Sequence, residues 1–496
     1  MQNADRRSWL DGAGALCYTL GMGEIVYNSV TAAVAAELVG IVGAAYVIFD
    51  DVERLEPFSH DEVPELRYRH MPEALVRPRT AEEISGILKL ANREMIPVTP
   101  RGAGSGLSGG AVPARGGIVL LCDRMNQILE IDTENMMVTV EPGVVTAEIN
   151  EHLDGTGLFY AGYPMSLETC FIGGNVAENA GGGKAVKYGV TDRYVLGMEV
   201  VTPTGEIVTY GGKLLKNVTG YPMEKLMVGS EGTLGVFTKL ILRLVPAPGK
   251  EVDLLCLFDS AAAAIETVPK LMREGGVIPT AIEFIDRRCI QVGCEYLNEA
   301  LPYEQCGAML LITVGGATEE QATAAYDMIG ELCLASGAQE VFVADNHTTS
   351  ERIWGVRRNI AEAFGVMSTH QINEDLVVPP ARIADLVAAM ETLGEKHGVL
   401  FPAYGHAGDG NLHVRIIKPD GWSVEQWETR SQAAQQDLYE ETAKLGGMLS
   451  GEHGVGHKRK AYMETFVDEN YLNVLRAIKR ALDPNLILNP GKIFDM

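Results

Sequence analysis

Four of the ten histidines in this 496-residue chain fall in two short glycine-rich patches. The run H-A-G-D-G-N-L-H at 406–413 places His406 and His413 seven positions apart. The Asp-Gly step between them lets the chain double back and bring the imidazoles together. The second patch, G-E-H-G-V-G-H-K-R-K at 451–460, adds the Glu452 carboxylate and the imidazoles of His453 and His457. Any one of these histidines alone could merely cap a turn. Imidazoles with one carboxylate and open positions make a catalytic divalent-metal site, with Zn, Fe or Mn as the ion. An anionic substrate needs a cation too, and W-G-V-R-R-N-I at 354–360 offers Arg357 and Arg358, whose guanidinium forks match a carboxylate.

Other chemistry resides in the backbone. P-R-G-A-G-S-G-L-S-G-G at 100–110 and I-G-G-N-V-A-E-N-A-G-G-G at 172–183 are dense in glycine, and the second run continues through Y-G-V-T-D-R at 188–193 to G-S-E-G-T-L at 229–234. Glycine permits positive φ and lets main-chain N–H groups approach a ligand unobstructed, which suits a diphosphate. A lone glycine run reads as a flexible turn. Here strand-like stretches at 198–209 and 234–244 follow, so the loops belong to a folded nucleotide site.

The elements that hold these groups follow from the apolar pattern. Thr80 is an N-cap with acidic residues behind it, and Ile84, Ile87, Leu88, Leu90 and Ala91 mark one helix ending near Glu94. A strand over 96–99 feeds the first glycine loop, strands over 117–122, 128–131 and 137–141 follow, and 145–157 reads as helix. After Pro246-Ala247-Pro248, strands over 252–258, 308–314 and 340–344 alternate with helices over 261–274 and 319–336. This predicts a second α+β domain with its sheet on one side and helices on the other. Helices over 423–446 and 469–482 lead back to N-P-G-K at 489–492. The expected division is a leader and helix at 1–40, a nucleotide-binding domain at 41–248 and a substrate or cap domain at 249–496.

With 46% apolar and 22% charged residues, the chain is that of a folded enzyme rather than a disordered one. A net charge of -25 argues against nucleic acid or an anionic membrane as partner, and it requires that any anionic substrate meet locally placed cations. Eight cysteines without a C-x-x-C pair fit reduced thiols in a cytoplasm and leave no iron–sulfur ligand set. The most apolar stretch, 29–49, contains Glu37, Gly40 and Gly43 and ends at Asp50-Asp51, so we expect a buried helix and then a strand over 45–49, with no transmembrane segment. Arg6-Arg7 before Trp9-Leu10 faintly resembles a twin-arginine leader, but Asp11 and the lack of an apolar core argue against cleavage.

The glycine loops and the strands after them resemble the flavin-binding domain of the vanillyl-alcohol oxidase superfamily, in its D-2-hydroxyacid dehydrogenase and glycolate oxidase D-subunit branch, from about residue 41 to the C-terminus. That resemblance implies an α+β fold: a two-part FAD-binding domain of the p-cresol methylhydroxylase (PCMH) type and a C-terminal cap over the flavin ring. It places the FAD phosphates on Pro100, Arg101, Gly102, Ala103, Gly104, Ser105 and Gly106 with Ser108. The flavin and adenine side would use Pro164, Ser166, Thr169, Gly173, Gly174, Asn175, Asn179, Gly189, Val190, Glu231, Gly232, Val236 and Asn489. Several members tether the flavin through a histidine near the first loop; this chain has Ser105 there, so FAD is expected without a covalent link.

By the same resemblance His406, His413 and Glu452 hold the metal, His453 is the base, and Arg357 takes the substrate carboxylate, with Arg358 solvated and His457 outside the metal's ligands. The 2-hydroxyglutarate branch has lysine where this chain has Asn373, which favours a monocarboxylate such as D-lactate or glycolate. Arg415 stands where that branch often has asparagine, and it is itself able to hold a carboxylate. The expected activity is metal-assisted oxidation of a D-2-hydroxyacid to the 2-keto acid. Electrons would pass to an electron-transfer flavoprotein, an iron–sulfur subunit or a quinone, in the cytoplasm or at the membrane periphery through such a partner. Alternatives are a D-2-hydroxyglutarate dehydrogenase, a non-redox flavoprotein of the ether-lipid synthase type, and a non-catalytic electron-transfer subunit. The intact histidine motifs argue against the last two.

Overall fold

Thr80 caps its helix as the spacing predicts: its Oγ1 accepts from the Glu83 N–H at 3.3 Å, and the helix runs Ala81–Glu94. The computed structural model describes residues 25–344 and 346–496; the Arg6-Arg7 leader and Cys17 lie outside the described residues. The apolar stretch near the start forms the helix Ala32–Val42, whose Val34 and Leu38 pack with Ile84, Ile87 and Leu88. Among the described residues no helix is long and apolar enough to cross a membrane.

Strands β1 (Val47–Phe49), β2 (Ala74–Val76), β3 (Val98–Arg101) and β4 (Ile118–Leu121) form a sheet of order β1-β2-β4-β3. The strand expected over 96–99 thus extends into the glycine loop itself and ends on Arg101. A five-stranded antiparallel sheet follows, built from β5 (Ile128–Asp132), β6 (Met137–Val140), β8 (Val195–Val201), β9 (Ile207–Gly211) and β10 (Val236–Arg243), in the order β5-β6-β10-β8-β9. A separate small antiparallel ribbon pairs β7 (Leu158–Phe159) with β11 (Val245–Pro246). The helix expected over 145–157 is shorter, Thr146–His152, because the chain turns through Gly155 at φ 73° and Gly157 at φ 75°, outside helical space.

All strands after residue 250 join one antiparallel sheet. They are β12 (Lys250–Phe258), β13 (Ala281–Asp286), β14 (Ala308–Gly316), β15 (Ala338–Ala344), β16 (Gln371–Val377), β17 (Ala403–His406) and β18 (Asn411–Ile417), in the order β15-β12-β14-β13-β17-β18-β16. The sheet is not covered on one side only, as the sequence reading has it. On β12, Leu254, Cys256 and Phe258 enter one buried cluster with the helices Ala261–Glu274 and Ile383–His397. The alternate residues Leu255 and Leu257 enter another with Arg287–Leu297 and His347–Met367. Unbroken apolar strands such as A-M-L-L-I at 308–312 carry that message, since a half-exposed strand would alternate.

The C-terminus returns to the first sheet. Val98 N–H donates to Ile487 O at 2.8 Å, and Asn489 N–H to Val98 O at 2.7 Å. Asn489, at φ 45°, donates through Nδ2 to Gly110 O and Glu231 O, stapling both glycine-rich segments together.

Candidate active site

Two adjoining cavities, of about 450 and 90 Å³, share Gly102, Gly110, Ala111, Gly174 and Glu178 as walls. Of the residues expected at the cofactor, Pro100, Arg101, Gly102, Ala103, Gly104, Ser105, Gly106, Pro164, Ser166, Thr169, Gly173, Gly174, Asn175, Glu231, Gly232 and Val236 line one or the other. The remaining five line neither. Ser108 is buried and donates to Glu178 at 3.4 Å, Asn179 ends the helix Ile172–Glu178 in the left-handed region, and Asn489 is the staple already described. A Cβ on Gly189 would meet Arg193 Cδ at 2.1 Å, so that glycine and the adjoining Val190 shape the turn. The walls fit a dinucleotide: a Cβ on Gly174 would meet nothing within 4 Å, so backbone there is open to a ligand, and Glu178 Oε2, buried without a hydrogen-bond partner among the described residues, is an acceptor for a donor group of the ligand. Arg101 contributes backbone only, because its guanidinium turns away to His60 O and Ala111 O.

The larger cavity ends at the histidine patches. β17 and β18 form the expected hairpin, pairing Tyr404 with His413 and bringing the His406 and His413 ring centroids to 5.3 Å. The loop 450–453 closes over them. His406 Nε2 and His413 Nε2 each lie 3.4 Å from Glu452 Oε1, and His453 Nε2 lies 3.5 Å from it. Donors bound to one cation at about 2.0–2.2 Å sit about 3.0–3.4 Å apart, so His406 and His413 each stand at ligand spacing from Glu452, while the ligand atoms that lie mutually within 4.8 Å of one another are those of Asp375, His413, Glu452 and His453. His406 Nε2 is buried and makes no well-formed hydrogen bond among the described residues. Its Nδ1 faces Glu283 Oε1 at 2.6 Å, a contact that fixes the orientation of the ring. Burial alone would lower His406, but Glu283 and Glu452 outweigh it and raise the group well above the usual imidazole range; a bound cation would take that proton's place. The Gly181 position leaves room for this arrangement, since a Cβ there would lie 3.2 Å from Glu452 Oε2.

Asp375 adjoins the same cluster, but its oxygens are occupied. Oδ1 accepts from Asn411 Nδ2 at 2.7 Å, and Oδ2 accepts from Ser450 Oγ and from the N–H groups of Gly451, Glu452 and His453 at 2.7–3.0 Å. It holds the loop rather than an ion. His457 stands apart, with Nε2 3.2 Å from His70 Nε2.

The two arginines expected at the substrate differ. Arg358 is exposed and pairs with Glu351 at 2.6 Å. Arg357 is buried, with Nε 2.7 Å and Nη2 2.6 Å from Glu283 Oε2, and its guanidinium lies over the Tyr404 ring at 4.8 Å. Burial disfavours the ionised Glu283 carboxyl, yet Arg357 and His406 outweigh it and hold the group at about 2. Arg357 therefore arrives at the cavity already neutralised. Glu283 and Asp375 escaped the sequence reading, although each left a trace: a lone carboxylate amid apolar residues in A-I-E-F-I, and the second acid of I-N-E-D-L.

Comparison with known proteins agrees with this geometry at both ends of the chain. A model of an FAD binding domain matches residues 72–211, and one of the C-terminal domain of FAD linked oxidases matches residues 247–493. The protein is thus a flavin-dependent oxidoreductase. It belongs to the FAD-linked oxidase family. It is 40% identical to the glycolate oxidase subunit GlcD of Bacillus subtilis (strain 168), over 88% of this chain and 92% of that one. It is 36% identical to a D-lactate dehydrogenase of Anaerostipes hadrus, over 95% and 99%. Among solved structures, p-cresol methylhydroxylase with substrate bound superposes with a TM-score of 0.76 at 20% identity, over 95% of this chain and 99% of that one, so the PCMH-type fold is shared.

Proposed function

We propose that the chain oxidises a D-2-hydroxy monocarboxylate, of the D-lactate or glycolate class, to the 2-keto acid. The relatives named above support the substrate class. The observation that carries the reading is the convergence of three imidazoles, His406, His413 and His453, on one oxygen of Glu452, where Glu452, His413 and His453 end a glycine-walled cavity. When bound, FAD, held without a covalent link, supplies the two-electron acceptor, and a divalent cation on His406, His413 and Glu452 supplies positive charge beside the hydroxyl.

His453 is the base of this reaction. Its side chain is 16% exposed against 4% for His406 and 8% for His413, so it is the imidazole most open to the cavity. Nε2 lies 3.5 Å from Glu452 Oε1 and Nδ1 3.8 Å from Asp375 Oδ2; with Glu452 given to the cation, Asp375 is the carboxylate left to hold the Nδ1 proton, and Nε2 would take the hydroxyl proton. The rigid β17–β18 hairpin and the loop fixed by Asp375 preset these groups. Reduced flavin must then pass its electrons onward, to an electron-transfer flavoprotein, an iron–sulfur subunit or a quinone.

Anaerobic addition of D-lactate or glycolate to the purified flavoprotein should bleach the flavin absorbance, and L-lactate should not. Replacing His406 with alanine should remove the bleaching and most of the bound metal, while flavin content persists. A wild-type flavin left oxidised by every 2-hydroxyacid would falsify the reading.

A further inference from the structure

Arg415 is the cavity cation that lacks a counter-ion. It lies on β18 two residues beyond His413, so the period of a strand puts both side chains on one face. The residue is 4% exposed and lines the larger cavity together with His413, Glu452 and His453. Nη1 donates to Gln371 Oε1 at 2.6 Å and Nη2 to the Tyr404 hydroxyl at 3.4 Å, while Nε is buried without a partner. Among the described residues no carboxylate comes within ion-pair distance of it, whereas Arg357 and Arg358 are each charge-matched by a glutamate, even though Arg357 Nη2, like Arg415 Nε, makes no well-formed hydrogen bond. A guanidinium cannot shed its proton, and a buried unpaired charge is costly until an anion arrives. Asn373, paired directly across from Arg415 in the β16–β18 register, adds a buried Oδ1 that also lacks a partner.

We propose that Arg415, rather than Arg357, is the primary counter-ion of the substrate carboxylate and sets the preference for an acid over a neutral analogue. Gln371 and Tyr404 fix the plane of its fork, and Nε with the adjoining Nη edge is the face left for two-point binding. Arg357 remains bound to Glu283 and acts through His406 as a positioning residue. This assignment rests on the 2-hydroxyacid reading for the identity of the anion, but the charge argument stands on the cavity itself.

The test compares pyruvate with its uncharged amide, pyruvamide, as ligands of the oxidised flavoprotein, with binding read from the perturbed flavin spectrum and needing no turnover. Wild type should prefer pyruvate, and Arg415→Met should weaken pyruvate about 30-fold or more while shifting pyruvamide little, as for truncation of one partner of a buried charge pair. Arg415→Lys should keep part of the preference, and it replaces the methionine variant if that one does not retain flavin. In steady state the methionine loss should fall mainly on KM for D-lactate. Equal weakening of both ligands, or a methionine or lysine variant that discriminates as wild type does, overturns the assignment. Lack of flavin reduction by hydroxyacids in wild type overturns the proposed activity instead, and leaves the pyruvate comparison to decide Arg415 alone.

Discussion

Asp375 lines neither cavity, yet its carboxylate receives five donors and thereby aims Glu452 and His453. Asp375→Asn keeps the shape but turns one acceptor oxygen into an N–H₂ group facing N–H donors. An unsatisfied buried polar group costs about 1–3 kcal/mol, so the variant should lose at least that much stability in chemical denaturation. It should also lose bound metal, because the loop that presents Glu452 is released. A denaturation midpoint matching wild type would refute this account of the loop. Glu283 has the same standing: it meets Arg357 and His406 at once and so sets the charge state of two groups at the cavity.

At the level of elements, the 450–460 loop is docked on the flavin loops by glycine geometry. Gly456 sits at φ 55°, where a Cβ would meet Ser108 O at 2.1 Å. Its N–H and that of Val455 both donate to Glu231, and Lys458 N–H donates to Ser108 O at 2.9 Å. A side chain at Gly456 cannot be absorbed by a rotamer change, since the obstacle is backbone. Left-handed strain costs about 1–3 kcal/mol before any clash. Gly456→Ala should therefore lower the melting temperature and reduce flavin per mole of protein, measured on the same sample by thermal unfolding and absorbance. Full flavin occupancy in that variant would show that the loop is not seated by this contact.

For the molecule as a whole, the last residues join the first sheet to the glycine-rich loops, and Lys492 is a charge buried in that closure. Its Nζ donates to Val112 O at 2.5 Å. Burial is the main cause of its fall from 10.5 to about 7. Between those values the unfolded chain binds a proton that the folded chain does not, so this group makes stability rise with pH from about 7 to about 10.5. Below pH about 7 the buried charge is a constant cost. Lys492→Met should flatten the stability profile in that window, and its gain over wild type should be greatest at the acidic end. Parallel profiles would exclude a titrating Lys492 as the source.

Much of the site was legible along the chain because its signals are local. His406 and His413 are joined by one hairpin, Glu452 and His453 are neighbours, and positive-φ glycines mark the close approaches; each is written within about a dozen residues. The FAD-binding fold could be read from the glycine loops for the same reason. What the tertiary structure alone decided was the choice of partners: Glu283 reaches His406 across 123 positions and Arg357 across 74, and which arginine is left with free charge depends on which strands lie side by side. Residue type determines what a group can do, but its counter-ion is set by sheet order, and contacts so distant along the chain leave no periodic trace in it.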